Sequence, residues 1–132
     1  MRVEALDHVN IITADIDASC SFYADLLGLD RRNGPPPFAP EKVQWMYDDN
    51  DRAVLHINSL DFPRAYDREI TPGPTGSIHH VAFRCEGFDE MVARLDKRGA
   101  QYQVNNIGSI GLNQIFTQDT DGILLELNFF GD

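Results

Sequence analysis

The segment Leu6-Asp7-His8-Val9-Asn10-Ile11 decides the reading, because the same pattern returns as Ile78-His79-His80-Val81-Ala82-Phe83, 72 residues further on. Asp15-Ile16-Asp17 matches Gly87-Phe88-Asp89 at the same spacing, and Gly28 and Gly99 stand 71 apart where helical patterns stop. Val54-Leu55-His56-Ile57-Asn58 matches Leu124-Leu125-Glu126-Leu127-Asn128 at 70. A drift of a residue or two is what loop variation produces, and a repeated supersecondary unit changes the expected fold before any single motif is weighed.

Each copy reads as β-α-β-β-β. In the first, Ala5 to Ile12 alternates as a strand. Asp15 to Leu27 places Ile16, Cys20, Tyr23 and Leu27 at helical spacing, with Asp15 or Asp17 as cap and Gly28 as stop. Leu29 to Asn33 follows as a short strand, and Pro35, Pro36 and Pro37 force a loop. Lys42 to Tyr47 and Arg52 to Asn58 form a hairpin across Asp48-Asp49-Asn50-Asp51. In the second copy Ile78 to Arg84 is a strand, Phe88 to Arg98 a helix and Gln101 to Asn105 a strand. Leu112 to Gln118 and Ile123 to Phe129 make the closing hairpin. Between the copies, 59–77 carries Pro63, Pro72, Gly73, Pro74 and Gly76 and suits a connection. The expectation is one α+β domain over 1–132: module one at about 1–58, a linker at about 59–77 and module two at about 78–132.

At 132 residues and 42% hydrophobic the chain has material for one core. Eleven Lys plus Arg against 21 Asp plus Glu give a formal charge of −10. Such a surface repels phosphate backbones and anionic headgroups, so neither nucleic acid nor membrane is the expected partner. No apolar stretch approaches the roughly 20 residues that span a bilayer, and MRVEALDHVN lacks a signal peptide's apolar segment, so the expected location is cytoplasmic. Cys20 and Cys85 supply neither a disulfide framework nor a CxxC site and read as small core thiols.

Strand alternation puts His8 on a face with Leu6 and Asn10, His56 with Val54 and Asn58, and Glu126 with Leu124 and Asn128. His8, His56, His80 and Glu126 are then counterparts of one another, expected to meet in one cleft. Imidazole nitrogen with carboxylate oxygen suits one divalent transition ion (Fe, Mn, Ni, Co or Zn) rather than Mg or Ca. Two histidines and a carboxylate leave coordination positions open to substrate oxygens. Asn10, Asn58 and Asn128 are candidate hydrogen-bond donors to these ligands. Each histidine taken alone also reads as a hydrogen-bonded core residue; burying three imidazoles and a carboxylate together favours an ion. His79 falls on the opposite face from His80 if its strand is regular.

These residues, with the helix SCSFYADLLGLD and the segments AVLHINSL, IHHVAFRC and FTQDTDGILLELNFF, resemble the vicinal oxygen chelate superfamily over nearly the whole chain. That superfamily includes glyoxalase I, extradiol ring-cleavage dioxygenases, fosfomycin-modifying enzymes and metal-free bleomycin-binding proteins. The resemblance implies paired βαβββ modules curling a mixed sheet around a metal-binding cleft, commonly in a homodimer. By position, His8, His80 and Glu126 match the shared metal ligands. His56 departs from glyoxalase I, which places a carboxylate there as a further ligand. It is similar to the extradiol enzymes in standing where they carry a catalytic histidine, yet Phe116 occupies the place of their tyrosine.

Three functions follow. In a glyoxalase-like lyase or isomerase the metal polarises two oxygens of a small-molecule substrate, Glu126 also moves the proton, and oxygen is not needed. An extradiol-type dioxygenase uses Fe(II) and O₂, with His56 managing protons. A bleomycin-resistance-type protein sequesters a ligand in a cleft lined by Trp45, Tyr47 and Phe116 and needs no metal. Loop 34–41 and the linker shape the pocket, where Arg64 and Arg68 are candidates to recognise a carboxylate. The glyoxalase-like reading leads, with His8, His80, Glu126 and His56 as metal site and Glu126 and His56 as catalytic pair.

Overall fold

The computed structural model describes residues 1–131. It divides into two compact units, Met1–Thr71 and Pro72–Asp132, a boundary inside the segment read as the linker.

The first unit runs β1 (Val9–Thr13), α1 (Ile16–Leu27), β2 (Asp30–Asn33), β3 (Val43–Tyr47) and β4 (Ala53–Ser59). Its four-stranded sheet has the order β1-β4-β3-β2, with β1 parallel to β4 and the other neighbours antiparallel. The second unit repeats this with β5 (Val81–Cys85), α2 (Phe88–Arg98), β6 (Tyr102–Ile107), β7 (Leu112–Gln118) and β8 (Leu124–Phe130), ordered β5-β8-β7-β6. The fold is α+β, two βαβββ units each with its own mixed sheet. A 3₁₀ turn at Gly108–Ile110, which the sequence reading leaves unassigned, joins β6 to β7.

Local chemistry sets the helix ends. Asp15 caps α1 by accepting the Ala18 amide at 3.0 Å, and Gly28 closes it in the left-handed conformation, φ 69°, that a side chain would strain. Gly87 offers α2 no side-chain cap; Asp89 and Glu90 in its first turn and Lys97 and Arg98 in its last complement the helix dipole instead.

Alternation then sorts the strands. On β4 the buried residues are Leu55 and Ile57, and on β8 they are Leu125, Leu127 and Phe129. In the first unit Cys20, Tyr23 and Leu26 of α1 are buried with the β4 pair, and in the second Leu95 of α2 is buried with the β8 residues, all four 2% exposed or less. His56 and Asn58 on β4, like Glu126 and Asn128 on β8, take the opposite, half-exposed face. The helix-covered face of each sheet is apolar, and its other face carries the polar candidates.

β1 and β5 begin later than the alternation suggests. Each is an edge strand with one partner, and the parallel ladders start at Val9 opposite Leu55 and at Val81 opposite Leu125. Val3 and Leu6 ahead of β1 are 78% and 85% exposed, so no burial extends the strand backwards. His8 and His80 therefore sit one residue before their strands rather than within them.

The end of the linker is tied to the β7–β8 turn. The Gly73 amide donates to the Asp121 carbonyl at 3.0 Å, and a Cβ on Gly122, whose φ is +81°, would fall 2.9 Å from the Gly73 Cα. Both the backbone conformation and the neighbouring backbone exclude a side chain there. Gly122→Ala is expected to cost about 1–3 kcal/mol, read as a lower urea midpoint at unchanged slope. An unshifted midpoint would contradict the close approach.

Candidate functional site

In the first unit the cross-strand register puts Trp45 opposite His56, and the two rings stack with centroids 3.9 Å apart and planes 6° from parallel. His8 lies against the other side of His56, at 3.7 Å and 12°. Three flat side chains thus run across β3, β4 and the start of β1. The far edge of His8 is fixed by Asp7, whose Oδ2 lies 2.5 Å from His8 Nδ1. Partial burial, helped by neighbouring His8, lowers the His56 pKa to about 4, so the imidazole is neutral at neutral pH. Asn58 Oδ1 is buried without a hydrogen-bond partner. The reason is visible in the register: Val43 stands opposite Asn58, whereas Gln114 stands opposite Asn128 in the second unit.

In the second unit Glu126 is the centre of a polar lattice. Gln114 Nε2 donates to Glu126 Oε1 at 2.9 Å and to Asn128 Oδ1 at 3.2 Å, and Asn128 Nδ2 donates to Glu126 Oε2 at 2.9 Å. Asn105 Nδ2 in turn donates to Gln114 Oε1 at 2.8 Å. Both carboxylate oxygens are held, and the carboxyl plane is fixed. His80 Nε2 stands 3.7 Å from Glu126 Oε2, and the edge of Phe116, cross-strand to Glu126, meets the His80 ring at 6.4 Å.

The four expected ligands are accordingly found as two pairs, His8 with His56 and His80 with Glu126, one pair to each unit. Among the described residues no three His, Cys, Asp or Glu side chains form one metal-holding group. Asn128, one of the three asparagines read as candidate donors, does donate to Glu126. Gln114 was missed, although its alternation with Phe116 places it on the Glu126 face. His79 does not lie on the opposite face expected of a regular strand: with both histidines ahead of the β5 ladder, strand alternation does not govern them, and His79 Nδ1 lies 2.9 Å from His80 Nδ1. Of the aromatics assigned to a cleft, Trp45 and Phe116 flank the histidines, while Tyr47 lies beneath the Arg32 guanidinium at 4.0 Å. Arg64 is engaged within the linker by Asp67 at 2.7 Å and by the Leu60 carbonyl.

The cysteines are built for inertness. Burial raises the Cys20 thiol and pushes Cys85 up to about 11. Alkylation of the folded protein at pH 8 is expected to run on the order of a hundredfold slower than that of free cysteine, and urea should restore it. Rapid uptake of one equivalent of iodoacetamide by the folded chain would refute this.

Paired βαβββ units carrying imidazole and carboxylate at matching strand positions define a vicinal-oxygen-chelate type of protein. Residues 5–127 match the model of the Glyoxalase/Bleomycin resistance protein/Dioxygenase superfamily, and the chain belongs to that superfamily. Among its relatives, Glyoxylase I 4 of Arabidopsis thaliana is 23% identical over 129 residues, 96% of this chain and 71% of that protein. The uncharacterised protein YaeR of Escherichia coli (strain K12) is 27% identical over 130 residues, 96% of this chain and 97% of its own length. A glyoxalase/dioxygenase from Nostoc punctiforme superposes with TM-score 0.73 at 19% identity, covering 98% of this chain and 92% of that one. Lactoylglutathione lyase from Agrobacterium tumefaciens gives 0.65 at 16%, covering 98% and 96%. These likenesses establish the fold. No helix among the described residues is long and apolar enough to cross a membrane.

Proposed function

We propose that the protein is a divalent-metal-dependent, glyoxalase-like lyase or isomerase of a small oxygenated substrate, with His8, His80 and Glu126 holding one Fe, Mn, Ni, Co or Zn ion. The observation that carries this reading is the His80–Glu126 pair. Its donor atoms stand 3.7 Å apart, inside the roughly 4.2 Å that two metal bonds of about 2.1 Å can span. Gln114 and Asn128 hold the carboxylate as outer partners hold a ligand, which supports the fit of the donor set to such an ion. His8 is the first unit's counterpart of His80, paired with His56 in its own unit, and is the third donor of this proposal.

An ion held by His8, His80 and Glu126 would supply Lewis acidity toward the oxygens of a bound substrate. The chain's own residues handle the proton. The Glu126 carboxylate takes it from the carbon beside the substrate carbonyl and returns it to the former carbonyl carbon, while the Gln114 contact at Oε1 keeps the carboxyl oriented. His56, neutral and clamped between Trp45 and His8, is the second proton-handling group. The protein works as a cytoplasmic homodimer in this proposal.

The test is turnover of a hemithioacetal of an α-ketoaldehyde by protein stripped with chelator and reloaded with single metals, under nitrogen. Metal-dependent turnover without oxygen is expected. Oxygen uptake with a catechol and Fe(II) would replace the reading with ring cleavage, and activity indifferent to chelation would end it.

A further inference from the structure

Asp7 and His79 hold the same place in the two units, each immediately before the histidine of the proposed ligand set and 72 residues apart. Both engage that histidine through its Nδ1: Asp7 Oδ2 at 2.5 Å from His8 and His79 Nδ1 at 2.9 Å from His80. Adjacent residues on a regular strand point to opposite faces and cannot do this. Here they can, because the ladders begin only at Val9 and Val81. The same device recurs with two different side chains.

We propose that Asp7 and His79 are positioning residues that hold His8 and His80 as Nδ1–H tautomers, leaving each Nε2 lone pair bare for a cation. The purpose of the device rests on the metal-dependent reading above; its geometry does not. An ionised carboxylate can only accept, so the Asp7 contact requires the proton to sit on His8 Nδ1. For His80 two contacts compete. Its Nε2 is 3.7 Å from Glu126 Oε2, beyond the range of an N–H···O bond, and both oxygens of that carboxylate already accept from Gln114 and Asn128. The 2.9 Å contact between the two Nδ1 atoms needs one donor and one acceptor, and the proposal gives His80 the donor's part: His80 donates from Nδ1, His79 accepts at Nδ1 and keeps its own proton on Nε2. A ligating histidine ordinarily donates its second N–H to an outer partner that fixes the ring and raises its basicity.

The tautomers can be read without any metal, from long-range ¹H–¹⁵N correlations on ¹⁵N-labelled, metal-free protein at pH 8. Both His8 and His80 should give the Nδ1–H pattern. Asp7→Ala should abolish it at His8 alone and His79→Ala at His80 alone, whereas Asp7→Asn and His79→Asn, whose amide oxygens can accept the same N–H, should retain it. Asp7 is 89% exposed in its side chain and His79 is exposed, so these variants keep the core intact. In a second step Co(II) alone is titrated into each protein, and the alanine variants should bind it about 10–100-fold more weakly, with the asparagine variants recovering most of the loss. An Nε2–H pattern at either ring of the wild type, tautomers indifferent to the alanine changes, or Co(II) affinity unmoved by them would each overturn the proposal. Wild-type protein with both Nδ1–H tautomers and no affinity for Co(II) would instead defeat the metal-dependent reading and leave the tautomer control standing.

Discussion

His80→Ala should leave the protein folded but unable to retain stoichiometric metal through gel filtration, and its turnover should fall with the metal. His80 is exposed and lies ahead of β5, so its removal opens no cavity and takes no bond from the sheet. What it does remove is one of the two donors that stand 3.7 Å apart. Losing an outer partner of a ligand typically costs 10–100-fold in metal affinity, and losing the ligand itself should exceed that range. Elemental analysis of untagged wild type and variant, beside a thermal melt of each, separates a ligand from a structural residue. Full metal stoichiometry in His80→Ala with an unchanged melt would remove His80 from the ligand set. Loss of metal together with collapse of the fold would assign it a structural task that its exposure does not suggest.

Much of this was legible in the chain because burial enforces periodicity. The α2 range Phe88–Arg98 and the β7 range Leu112–Gln118 coincide with the sequence reading, since glycines and polar turns bracket strongly patterned segments. The starts of β1 and β5 were not legible. The alternation from Ala5 onwards looks like a strand, but a strand needs a paired neighbour, and the ladders to β4 and β8 begin only at Val9 opposite Leu55 and Val81 opposite Leu125. The three-residue difference at β5, from Ile78 to Val81, releases His79 from the opposite face and brings it to His80. Gln114 was hidden for another reason: glutamine on a strand carries no chemistry of its own, and only the cross-strand register reveals that its amide reaches both Glu126 and Asn128. The stack of Trp45 on His56 follows from the same register, which a single strand cannot specify.

The register of β8 decides where Glu126 points, and it can be tested by stability alone. Phe129 is fully buried and meets Phe88 of α2 edge to face at 5.5 Å, whereas its neighbour Phe130 is 40% exposed beneath the Arg84 guanidinium at 4.3 Å. Truncating a buried phenylalanine removes its transfer energy and leaves a cavity, so Phe129→Ala should cost about 3–5 kcal/mol. That is a large part of the roughly 5–15 kcal/mol that holds a typical domain folded, and the variant should be partly unfolded at ambient temperature. Phe130→Ala forfeits only a partly exposed contact and a cation–π pair and should cost about 1 kcal/mol or less. The contrast between adjacent residues of one type matters more than either value, because a shift of one residue turns every side chain of a strand to the other face. Equal losses, or a larger loss at Phe130, would mean that β8 runs in the other register. Glu126 would then be turned into the apolar core and away from Gln114, and no carboxylate would be left to pair with His80.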